Sequence, residues 1–84
     1  MISELLIKQF VRERDEAAKS YDVKRFRTFY RKWADMGFYH LLLPEDDYIL
    51  AITMRKMVCM MESATPEEKA EAKEWLERRG YTEF

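Results

Sequence analysis

Five cations crowd the stretch Lys24-Arg25-Phe26-Arg27-Thr28-Phe29-Tyr30-Arg31-Lys32, with no acid between residues 24 and 32. At helical spacing Lys24, Arg25, Arg27, Arg31 and Lys32 share one face over about three turns. Such a row suits phosphate, because every phosphate it neutralises releases condensed counterions. It is equally the solvated face of an amphipathic helix, paired with carboxylates such as those of the acidic C-terminal segment. The second reading is the stronger. The aromatics of this stretch fall on the opposite face, whereas a nucleic-acid surface needs rings and cations exposed together.

Other residues with chemical potential resolve less favourably. His40 and Cys59 invite comparison with a base and nucleophile, but that chemistry also needs an orienting group and an oxyanion site. Cys59 sits among apolar residues, where a small thiol is usually inert. Glu45-Asp46-Asp47 lacks the Asp-x-Asp-x-Asp-Gly pattern of a calcium loop and reads instead as acids at the positive end of a helix. Met54, Met57, Met60 and Met61 form a polarizable patch with no histidine support for a metal, which suits a core or an adaptable seam. Six of the twelve aromatics lie between Phe26 and Tyr39; core packing explains most of them, but a small bundle has limited volume for all six around one helix. Phe38 and Tyr39, with Met54, Met57 and Met61, are therefore the candidate apolar interface. No glycine-rich phosphate loop or nucleophile elbow is present. No metal or cofactor is expected, and the chain reads as a non-enzyme.

Composition sets the frame for these residues. Eighty-four residues make a single domain, 1–84. Hydrophobic residues at 48% argue against disorder, and two Gly and two Pro are too few for a small barrel or sandwich. One Cys and one His exclude a disulfide framework and a zinc site built within one chain. The net charge of −1 exerts no global pull on nucleic acid or anionic membrane, but it hides a polarity. Residues 22–37 carry five bases and two acids, whereas residues 62–84 carry seven acids and four bases. No signal segment or membrane-length apolar run is evident, so a cytoplasmic protein without membrane contact is expected.

The elements that must position these residues are all helical. Ser3 caps a first helix over about 4–20, with only Arg14 interrupting its apolar stripe of Leu6, Ile7, Phe10, Val11, Ala17 and Ala18. Asp22 and Gly37 bracket a second helix over 23–36, whose wheel separates cleanly into apolar and cationic halves. Residues 38–43 read as an extended connector. Pro44 opens a third helix, 44–63, which is apolar on every side and hence central or shared with a partner. Thr65-Pro66-Glu67-Glu68 is a capping box for a fourth, 66–79, closed by Gly80 and Tyr81. The expected fold is an all-α, compact four-helix domain. Its expected core holds Phe10, Phe26, Tyr30, Trp33, Ile49, Ile52 and Leu76.

The stretch Lys24 to Trp33, with Leu43-Pro44, Met54-Arg55-Lys56-Met57, Glu74-Trp75-Leu76 and Gly80-Tyr81, resembles small helical proteins encoded on bacterial mobile elements and phages. The resemblance carries no functional residue over. It implies a context in which a small protein binds a host or element protein. The expected function is thus a protein-interaction module, an accessory or inhibitor protein of a mobile element. A homodimer through helix 3 or residues 38–43 is a further expectation. Nucleic-acid binding through the basic face of helix 2 is the alternative.

Overall fold

A computed structural model describes residues 3–38 and 43–81. They form four helices in the order α1 (Glu4–Ser20), α2 (Val23–Asp35), α3 (Asp47–Met60) and α4 (Pro66–Arg78). The all-α four-helix expectation is met, and local chemistry explains each boundary. Ser3 accepts from the Leu6 N–H and Asp22 from the Arg25 N–H, each satisfying a donor that the first turn leaves unpaired. Thr65 and Glu68 complete the capping box in both directions. At the end of α2 the Gly37 N–H donates to Ala34 and the Phe38 N–H to Trp33, with Gly37 at φ +87°. Gly80 and Tyr81 repeat this closure on Glu77 and Leu76.

Four boundaries differ from expectation. α2 and α4 each stop one residue early, a difference of fraying. The two ends of helix 3, expected at 44 and 63 and found at 47 and 60, differ for physical reasons. Helix 3 was expected from residue 44, but Asp46 caps it by accepting from the Tyr48 and Ile49 N–H groups, so Pro44 lies outside. A carboxylate able to hold two orphan donors outweighs a proline that merely tolerates the first turn. At the other end Met61 is already extended, φ −85°, ψ 125°. Of the expected connector at 38–43, residues 39–42 lie outside the described residues.

α1, α2 and α3 touch one another, whereas α4 packs on α3 and reaches α1 through the Lys19–Glu68 ion pair. The shared core holds Ala17 and Ala18 of α1, Phe26, Phe29 and Trp33 of α2, and Leu50, Met54 and Val58 of α3. α3 is divided lengthwise. Leu50, Met54 and Val58, at i+4 spacing, are fully buried in this core. The stripe of Ile49 and Met60 faces outward. Ile49, expected in the core, is 50% exposed, because an apolar helix surface has more sides than this chain has neighbours for it. Phe10 and Tyr30 are half-buried, and Ile52 and Leu76 are buried as expected. α4 buries Ala72 and Leu76 on its α3 side.

Polar groups inside this frame are paired. Asp15, 9% exposed, accepts from Ser63 Oγ at 2.8 Å and from Arg14 at 3.1 Å, which accounts for the arginine in the apolar stripe. Lys19 Nζ donates to the Ser63 carbonyl at 2.9 Å and lies 3.4 Å from Glu68, tying the end of α1 to the α3–α4 turn. α1 ends on Tyr21 at φ +55°, the left-handed conformation usually left to glycine.

Two stability measurements test this packing. Met54→Ala should cost about 2–5 kcal/mol by denaturant unfolding, a cavity cost that the exposed Met60→Ala does not incur. Tyr21→Ala and Tyr21→Gly both remove the ring, but only alanine retains the left-handed penalty, so the glycine variant should be more stable by about 1 kcal/mol.

Candidate functional site

The cationic face of α2 is less available than its sequence suggests. Arg27 Nη2 donates to Asp47 Oδ1 at 2.9 Å and to the Glu45 carbonyl at 3.1 Å. Lys32 Nζ donates to Glu13 Oε1 at 2.9 Å and lies 5.2 Å from the Trp33 ring centroid. Arg25 stands 3.8 Å from Glu16. Lys24 and Arg31 are exposed and have no ion pair among the described residues. The expected partners on α4 are not the ones used. α1 and the start of α3 supply the carboxylates, because those elements flank α2 while α4 sits on α3.

The pairing also turns a basic stripe into a mixed surface. Between α1 and α2 runs an open furrow of about 320 Å³, walled by Glu13 and Glu16 on one side and Arg25 and Lys32 on the other. A phosphate chain entering it would meet both signs of charge, so the row cannot act as one field.

Glu13 is the anchor of this arrangement. Its Oε1 accepts from Lys32 and, at 3.2 Å, from the Trp33 indole N–H; its Oε2 accepts from Gln9 at 2.8 Å. These bonds, led by that from Lys32, hold the Glu13 carboxyl below its ordinary range despite opposing desolvation. At α4, the backbone N–H of Thr65 does the same for Glu68.

The apolar candidates divide. Met54 and Met61 are buried inside the chain and are not offered to a partner, which corrects their assignment to an interface. Met57 is half-buried and lines an open cleft with Arg14, Met60 and Met61. Phe38 stacks on Phe10 at 4.7 Å between centroids and meets Trp33 edge-on at 4.9 Å, so its ring is largely committed to the core. Tyr39 and His40 lie outside the described residues. Burial pushes the Cys59 thiol up, against the nearby charges of Lys73 and Lys69. Among the described residues no group of three His, Cys, Asp or Glu is placed to hold a metal ion, and no helix is long and apolar enough to cross a membrane.

The surface that sequence reasoning missed lies on α1. Its apolar residues form two adjacent rows. Phe10 of the first packs on Phe29 and Trp33. The second row runs Ile7, Val11, Ala18, and only Ala18 is fully buried; Ile7 remains 45% exposed. Ile7 and Val11 form the floor of an open groove of about 510 Å³. Lys8, Arg12, Asp15, Glu16, Lys19 and Ser63 complete its lining. The signal was present in the sequence as a stripe too wide for one neighbouring helix.

Acid titration tests the Glu13 anchor. Its folded-state value is depressed, so its contribution is present above the unfolded-state pKa and lost as pH falls through the folded value. Glu13→Gln should therefore unfold with a shallower loss of stability below the ordinary carboxylate range than the parent chain. A parallel acid limb would show that the carboxylate is not coupled to folding.

Comparison with protein-family models, curated proteins and solved structures finds no match to this chain.

Proposed function

We propose that this chain is a small, non-enzymatic protein-interaction module whose docking surface is the outer groove of α1. The observation that carries this reading is the half-covered second row of α1, where Ile7 and Val11 form an apolar floor. Lys8 and Arg12 beside it have no ion pair among the described residues. Apolar floor and unspent cations together suit a partner segment presenting aliphatic side chains flanked by acids. The loss of Lys32, Arg27 and Arg25 to carboxylates of the chain weighs against nucleic acid. The mobile-element resemblance is consistent with a host or element protein as partner, and the lone half-buried Cys59 with a reducing cytoplasm.

Photo-crosslinking tests the reading. A photoreactive phenylalanine analogue placed singly at Ile7 and Val11 should capture the same protein from native lysate. The same analogue at Lys24 or Arg31 should not. Reversing Lys8 and Arg12 to Glu should abolish capture. Equal capture from all four positions would sink the proposal. Nucleic acid, the second reading, retains exposed Lys24 and Arg31 in its favour. It requires binding to labelled DNA or RNA that falls steeply between about 50 and about 200 mM salt. It also requires that a Lys24→Ala/Arg31→Ala variant lose that binding. That pair is the better probe, because Arg27→Ala would also break an ion pair of the fold.

A further inference from the structure

Arg55 is half-buried between two rings. Its guanidinium carbon lies 3.9 Å from the Tyr21 centroid and 4.2 Å from that of Trp75. The Arg79 guanidinium carbon lies 3.8 Å from the same Trp75 centroid. The end of α1, the middle of α3 and the last turns of α4 thus converge on two cations sharing one indole. A guanidinium held against a ring face keeps its N–H donors around its rim. Each makes one bond there, to a carbonyl one turn back: Arg55 to Ala51 at 3.5 Å, Arg79 to Trp75 at 3.1 Å.

Neither has a carboxylate within ion-pairing distance among the described residues. Arg14, Arg25, Arg27 and Arg78 all do. Burial lowers the Arg55 pKa from its ordinary value, and the Arg79 charge acts in the same direction against an opposing effect of Tyr21. The cluster therefore holds two neighbouring positive charges and unspent donors, with no carboxylate at ion-pairing distance among the described residues.

We propose that Arg55 and Arg79, on the shared Trp75 ring, bind a carboxylate of an acidic polypeptide partner. The planar guanidinium fork matches a carboxylate through paired hydrogen bonds, and Trp, Tyr and Arg dominate the energetics of interfaces. Tyr48, exposed and 6.3 Å from Trp75 between centroids, extends the platform. A phosphate backbone fits less well. Glu71 stands one turn before Trp75, Glu74 adjoins it, and residues 62–84 sum to −3. That field admits a single carboxylate and repels a string of phosphates. The polypeptide nature of the occupant rests on the interaction-module reading; the anion site itself does not.

The test titrates the full chain, at constant ionic strength, with an end-blocked tetrapeptide carrying one glutamate. NMR follows the Trp75 indole N–H and the Nε–H groups of Arg55 and Arg79. All three signals should move along one saturating curve. Arg79→Lys keeps the charge on an exposed position just after α4 but removes the fork, and should weaken binding by about tenfold. The Lys24→Ala/Arg31→Ala variant should titrate unchanged. Non-saturating drift, an undiminished response in Arg79→Lys, or tighter binding of a single-stranded octanucleotide at the same signals would overturn the proposal. The peptide probe is independent of the α1 cross-links, so failure of either reading is seen separately.

Discussion

A wholly buried indole must find an acceptor for its N–H, and in this chain the acceptor is a carboxylate on another helix. Trp33 is fully enclosed, and Glu13 of α1 takes its proton donor. That bond fixes how α1 and α2 lie together, and Phe10 and Phe38 close around the same ring. A carboxylate so near the core needs further partners, and Gln9 and Lys32 supply them. Lys32, one of the five cations of the row, is thereby spent on holding a tryptophan in place. The mixed furrow between α1 and α2 follows from this one requirement.

What the sequence revealed of the fold was what its local chemistry decides. The caps at Ser3, Asp22 and Thr65, and the glycine closures after α2 and α4, depend on residues within one turn of each other. The amphipathic wheel of α2 is equally local, and Phe26, Phe29 and Trp33 are buried on its apolar side. α3 was harder because it is apolar all round. Its pattern could not say that Met54 goes inward and Ile49 outward, since that depends on where three other helices lie. Its start was misplaced because two plausible signals stood side by side, Pro44 and Asp46, and only geometry shows which one holds the N–H groups.

The candidate site was legible as residue types and opaque as availability. The cationic row of α2 was plain, but whether a cation is free depends on carboxylates distant in sequence, as Arg27 shows with Asp47 and Lys32 with Glu13. The groove on α1 was implicit in the adjacent rows of Leu6 with Phe10 and Ile7 with Val11, yet only packing shows which row goes uncovered. As a cluster, Tyr21, Arg55, Trp75 and Arg79 left no local signal. Trp75 and Arg79 stand one turn apart at the end of α4, but Tyr21 and Arg55 reach them from distant parts of the chain.

α4 is the most charged helix and packs chiefly on α3. Its attachment consists of Ala72 and Leu76 against α3, the Lys19 bridge to Glu68, and the ring-and-guanidinium contacts around Arg55. The α3–α4 pair is the most extensive helix contact among the described residues, and Ala72 belongs to the same buried cluster as Ala17, Trp33 and Met54. The molecule is therefore strung along α3, and α4 can open only by uncovering the side of that helix which Ala72 and Leu76 close.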